Sequence, residues 1–125
     1  AIDAGIAGDL SVPLIMVSGD DKACAEAKKI VTGVCAAEVK KGLSAEGAVL
    51  LPKEKAHELI RTTSKKAVEN CRKIKPFKIK APVAMRLELI SRGIIPAGRA
   101  GVKVIDGRTF EITGNCVEET LNKIL

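Results

Sequence analysis

The sequence predicts an α/β fold, with a mixed sheet in two or three layers and helices on its faces. Three observations carry this. A continuous apolar run at 12–17 precedes an amphipathic helical stretch, a long helical arc begins at Pro52, and apolar residues alternate strictly over 77–89. An unbroken apolar strand suits a parallel sheet covered on both faces, whereas alternation suits a sheet with one wetter face.

The elements follow in chain order. Residues 1–9 are rich in small side chains, and Ile2, Ile6 and Leu10 recur at helical spacing, as in the tail of a helix. The run Val12-Pro13-Leu14-Ile15-Met16-Val17 reads as a buried strand. Ser18-Gly19-Asp20-Asp21 breaks it and opens a helix, either carboxylate being able to accept from the first free N–H groups. Ala23, Ala27, Ile30 and Val31 form the expected packed stripe of that helix, and Thr32-Gly33 ends it. Residues 34–40 read as a second strand and 41–51 as a loop. Pro52 suits the first position of a long helix, where its missing N–H costs nothing. Ala56, Leu59, Ile60, Thr63, Ala67 and Cys71 then share one arc, and the helix should stop before Pro76.

In the alternating strand 77–89, the period places Met85 and Leu87 on the buried face and Arg86 and Glu88 on the wetter one. Pro82 marks an edge or a bulge. A glycine-bearing loop spans 91–101, and 102–113 reads as a hairpin around Asp106-Gly107. A three-residue loop pairs Val104 with Phe110, Val102 with Ile112 and Lys103 with Glu111, which keeps apolar against apolar and opposite charges together. Asn115 is the expected cap of a closing helix at 117–125, with Val117, Leu121 and Ile124 as its apolar face.

Composition narrows the function classes. A chain of 125 residues with 46% hydrophobic content suits one domain over 1–125 with a real core. Two Phe and no Tyr or Trp leave the packing to aliphatic residues and remove the usual stacking platforms for bases or sugars. No apolar run is long enough to span a bilayer, and no basic segment followed by an apolar one suggests a signal peptide. No membrane partner is therefore expected. Cys24, Cys35, Cys71 and Cys116 form no CxxC pair, so small buried core residues in a reducing cytoplasm are expected. The net charge of +6 invites a nucleic-acid reading, but the basic residues are dispersed and solvated helix faces account for them.

Candidate chemistry is sparse. His57 is the sole histidine, at the edge of the long helix's apolar arc, and no second imidazole exists to join it. Asp20 and Asp21 could bind a cation at the carboxyl end of a strand, although a helix cap explains them more simply. Gly98-Arg99-Ala100-Gly101 leads into a strand, whereas a phosphate cradle needs a helix after it. Ser44 lacks an evident base. Accordingly no catalytic, cofactor-binding or metal-ligating residue is assigned. A free-standing basic α/β module for an anionic ligand, or an interaction domain, are the readings that composition alone leaves open.

Taken in order, several segments resemble the zinc-dependent D-aminopeptidase family of bacterial dipeptide-transport operons. Residues 12–21 resemble the family's Val-Pro strand ending in Gly-Asp-Asp, and Glu26-Ala27 follows where the family has Glu-Ala. Val39-Lys40, Ser44 and Leu51-Pro52 resemble its Val-Lys, Ser and Leu-Ser-Pro sequence, with Leu51 in place of Ser. Residues 99–113 resemble its Pro-Gly-x-Glu-Arg and hairpin region, and 117–125 its final helix. Residues 90–95 depart from the family's more aromatic counterpart. The resemblance implies the C-terminal portion of a larger α/β protein, separated from the half that holds the Ser-x-Asp-x-Glu-Gly stretch, the metal ligands and the catalytic histidine. It also implies zinc and a peptide substrate for the full-length protein, a homo-oligomer, and a chain that is inactive alone. Its part would be scaffold, oligomer contacts and a substrate wall.

Overall fold

The computed structural model describes residues 1–91 and 93–124; Arg92, in the expected 91–101 loop, and Leu125, at the end of the expected closing helix, lie outside them. The mixed α/β class is borne out, with the strands divided between two small sheets. The first has the order β1-β2-β3 and the second β4-β6-β5.

Helix α1 (Ile2–Asp9) opens the chain, but its packed face is not the expected one. Ala4, Gly5 and Gly8 are buried, while Ile2 and Leu10 are exposed. A Cβ on Gly8 would lie 1.7 Å from the Phe77 carbonyl oxygen, and one on Gly5 would lie 2.8 Å from Val117. The helix thus packs backbone-close through its small residues. Ser11, at φ 61, turns the chain toward β1.

β1 is Met16–Asp20, four residues later than expected. Val12 is exposed, and Ser18, Gly19 and Asp20 belong to the strand rather than breaking it. Pro13 has no N–H to give a ladder, so pairing begins beyond it. β1 runs parallel to β2 (Cys35–Gly42), Met16 opposite Cys35, as the unbroken apolar run implied. Between them α2 (Asp21–Ile30) forms the crossover. Its buried positions are Cys24 and Ala27, followed by Val31; Ala23, expected in the stripe, is exposed. Gly33, at φ +86, makes the turn into β2.

The expected 41–51 loop contains a strand, β3 (Ala48–Leu50), antiparallel to β2 with Lys41 opposite Val49. α3 (Lys53–Asn70) follows, with Pro52 capping it rather than lying inside it. Its predicted arc holds: Ala67 is buried, and Ala56, Leu59, Ile60, Thr63 and Cys71 are all half-buried. A short 3-10 turn, Cys71–Lys73, ends this helical stretch before Pro76. Ser64 of α3 donates to Met16 Sδ at 3.2 Å, whereas Val17 packs into the cluster of Ala27 from α2 and Val31 that follows it. Successive strand residues face opposite sides, so α3 and α2 cover opposite faces of the first sheet. Ala4, Val34 and Ile74 complete the core on the α2 side.

β4 (Val83–Glu88) is the second half of the expected 77–89 strand; residues before Pro82 do not pair. Within β4 the predicted faces hold. Val83 is buried and Met85 and Leu87 are half-buried, while Ala84, Arg86 and Glu88 are exposed. β5 (Val102–Val104) and β6 (Thr109–Gly114) form the predicted hairpin in the predicted register. Asp106 closes its loop by accepting from the N–H groups of Arg108 and Thr109 at 2.8 and 2.9 Å. α4 (Val117–Asn122) is capped by Cys116, not Asn115. Asn115 instead donates its N–H to Glu119 Oε2 at 3.0 Å. The Val117 N–H donates to Asp9 Oδ2 at 2.7 Å, which ties the start of α4 to the end of α1.

Candidate functional site

In parallel α/β sheets ligands gather beyond the carboxyl ends of the strands. Here that edge carries Asp20 at the end of β1 and the β2–β3 hairpin. Asp20 Oδ1 accepts from the Ala23 N–H at 2.8 Å, so it caps α2. Asp21 reaches across to the hairpin and accepts from the Gly42 N–H at 2.9 Å. That bond, aided by Lys22, holds the Asp21 carboxyl below its ordinary range. Lys22 Nζ returns a bond to the Gly42 carbonyl at 3.0 Å and stands 3.7 Å from Asp21 Oδ2. A Cβ on Gly42 would meet Lys22 Nζ at 3.3 Å and Asp20 Oδ2 at 3.5 Å, so the side chains of the helix start close in around this glycine. Asp20 therefore fills the capping role the sequence suggested, and Asp21 clamps the hairpin to the helix.

The clamp borders a cavity of about 190 Å³ lined by Asp20, Lys40, Gly42, Ser44, Glu46 and Gly47 among others. It brings Lys40 and Ser44 to one cavity, a pairing that a structureless loop could not suggest. Ser44 donates its backbone N–H to the Gly47 carbonyl at 3.2 Å, and a Cβ on Gly47 would lie 2.9 Å from Ser44 Oγ. The lining of opposite charges suits the polar end of a small molecule.

The other singled-out residues stand apart from this cavity. His57 lies exposed on α3. Arg99 donates to the Lys123 carbonyl at 3.1 Å, beside the end of α4, and the Gly98–Gly101 stretch runs into β5. The four cysteines are unpaired. Cys24 is buried, and burial pushes its thiol up, but Cys35, Cys71 and Cys116 are only half-buried, short of the expectation that all would be core residues. Cys116 Sγ accepts from the Glu119 N–H at 3.4 Å, a capping role. Among the described residues, no three His, Cys, Asp or Glu side chains converge as metal ligands would. None of the helices among them is long and apolar enough to cross a membrane.

Comparison with known proteins adds three findings. The profile of the Peptidase M55 family, described as D-aminopeptidase, matches residues 1–125. A curated D-aminopeptidase of Bacillus subtilis (strain 168) is 36% identical over 76 residues, which cover 61% of this chain and 28% of that protein. The solved structure of the Zn-dependent D-aminopeptidase DppA from Bacillus subtilis, a self-compartmentalizing protease, superposes with a TM-score of 0.82 at 26% identity. That superposition covers 98% of this chain and 46% of DppA, so this chain spans less than half the length of the relatives it matches.

Proposed function

Because this chain belongs to the D-aminopeptidase family, Peptidase M55, over residues 1–125, we propose that it is the C-terminal scaffold of a zinc D-aminopeptidase. In this reading the metal and the catalytic side chains reside in a further part of the polypeptide. The observation that carries it is the pairing of 98% coverage of this chain with 46% coverage of DppA. The described side chains do not themselves fit zinc. A zinc site needs three or four converging nitrogen, sulfur or carboxylate ligands. Here one oxygen of Asp20 and one of Asp21 are taken by backbone N–H groups, and the only histidine is exposed on α3.

The scaffold would act in three ways. The α1 helix and the first sheet would continue the larger fold. The polar cavity by Lys40 and Ser44 would form part of a wall against a peptide substrate. The exposed apolar side chains of β3 and its flanks, Leu43, Val49 and Leu50, would join contacts between subunits of a homo-oligomer, as the description of DppA as self-compartmentalizing suggests. Unpaired cysteines suit a reducing cytoplasm.

The test is calorimetric titration of this chain with zinc, alongside an assay for hydrolysis of peptides with an N-terminal D-amino acid. Neither a tight stoichiometric site nor turnover is expected from the chain alone. A tight site, or turnover, would overturn the reading. So would a parent gene without a Ser-x-Asp-x-Glu-Gly stretch upstream of Ala1.

A further inference from the structure

At the opposite end of the first sheet from the polar site, a cavity of about 430 Å³ opens between the end of α2 and the chain that follows α3. Its lining includes the apolar residues Ile30, Val31, Pro76 and Phe77 and the basic residues Lys73, Lys75 and Lys78. No carboxylate lines it. The volume falls in the range of small-molecule pockets, roughly 300–1,000 Å³.

The charge in this cavity is not neutralised. Lys73 Nζ donates to Asn70 Oδ1 at 3.1 Å, and Lys78 Nζ donates to Ser11 Oγ at 2.9 Å. Both partners are neutral oxygens, so each ammonium is held in place with its charge intact and with donors to spare. Lys22 and Lys123 stand against Asp21 and Glu119 at 3.7 and 3.1 Å. Among the described residues no ion pair involves the cavity's lysines. Lys28 and Lys29, in the last turn of α2, add positive charge beside the same wall and complement the carbonyl end of the helix. That dipole explanation does not extend to Lys75 and Lys78, which lie on the irregular segment after the 3-10 turn. Two lysines anchored on neutral oxygens, with Lys75 between them in sequence, beside an apolar floor suit a ligand of opposite charge. Several ammoniums match a phosphate bearing two or more charges better than a single carboxylate, and the floor of Phe77 and Pro76 matches an apolar or aromatic body.

We propose that this cleft binds a small organic phosphate, with its charged groups on Lys73, Lys75 and Lys78 and its body against Phe77 and Pro76. The inference is independent of any peptidase activity.

Titration calorimetry of the 125-residue chain in about 0.15 M salt tests it, with adenosine diphosphate, inorganic diphosphate and adenosine as probes. Adenosine diphosphate should bind tightest and adenosine weakest, the first two weakening as salt rises. Lys75→Gln/Lys78→Gln should weaken adenosine diphosphate by about tenfold or more. A Lys53→Gln/Lys55→Gln control on α3, with the same change in net charge, should stay within about twofold of the parent. Circular dichroism melts establish that both variants fold; if the first does not, Lys75→Gln alone should still show the weakening. Equal loss in both variants would reduce the effect to diffuse charge and overturn the proposal. Absence of binding by adenosine diphosphate would overturn it too, as would tighter binding of short duplex DNA.

Discussion

Gly8 sets the distance between α1 and the segment after α3. A Cβ there would sit 1.7 Å from the Phe77 carbonyl oxygen and 2.7 Å from its carbon, both backbone atoms. Rotamer change cannot relieve such a clash, so the helix must move. Gly8→Ala should therefore lower stability by about 1–3 kcal/mol or more, as overpacking does. Gly107→Ala, where nothing lies within 4 Å, should stay within about 0.5 kcal/mol. Urea melts followed by far-ultraviolet circular dichroism compare them, since the chain has no Trp or Tyr to report by fluorescence. Titrating residues give a second expectation. Glu119 accepts from the Asn115 N–H, and this bond, with the Lys123 pair, holds its carboxyl below the ordinary range. A folded value below the unfolded one contributes stability that is present above the unfolded value and is lost as pH falls through the folded value. Glu119→Gln should hence flatten the acid-side loss of stability below about pH 4, a difference read from melting temperatures across that range. These roles were only partly legible in the sequence. Asp20 as a cap follows from its place before a helix. The bond from the Val117 N–H to Asp9 joins residues 108 apart in sequence, and no local pattern contains it.

At the scale of elements, the sequence was most informative where one periodic pattern ran uninterrupted. The β5–β6 register followed from matching apolar to apolar and Lys103 to Glu111. The α3 arc followed from its 3.6-residue period. Errors arose where the pattern misled. The 12–17 run looked like a strand because all its residues are apolar, yet Pro13 delays pairing to Met16. In α1, Ile2, Ile6 and Leu10 drew attention as large side chains, while close packing selected Ala4, Gly5 and Gly8. Strand β3 was missed because its three residues, Ala48-Val49-Leu50, are too few and too uniformly apolar for alternation to be read. With it went the view of Lys40 and Ser44 in one cavity, so the candidate site was less legible than the fold. For β4 the faces are assigned, and mutation checks them. Ile112, fully buried on the paired strand, should cost about 2–5 kcal/mol as alanine. Leu87 is half-buried, so Leu87→Ala should cost less, about 1–2 kcal/mol. Glu88→Ala removes only an exposed pair with Arg108 and should cost under about 1 kcal/mol. Equal losses at Leu87 and Glu88 in urea melts would contradict the assigned faces.

Across the whole molecule, the two sheets do not share a strand, and pairing between distant strands is the part of a fold that local periodicity leaves open. What joins the sheets is α1. Its Ala4 lies in the core with Ala27 of α2 and Val31 just beyond it, its Gly5 lies against Val117 of α4, and its Asp9 accepts from the Val117 N–H. Val117, Val83 and Ile112 are buried where α4 packs on β4 and β6 of the second sheet. We infer from this seam that residues 1–125 unfold as one domain. Amide exchange gives the measurement. In the parent chain the slowest amides of α2 and of β6 should report the same opening free energy, as they do when both exchange only through global unfolding. Asp9→Ala removes a charged acceptor from a half-buried N–H, and the cost should be about 1–3 kcal/mol. If α1 is the coupling element, that loss falls on both sets of amides alike. If the second sheet opens by itself, β6 amides lose protection while α2 amides keep theirs, and the single-domain reading fails.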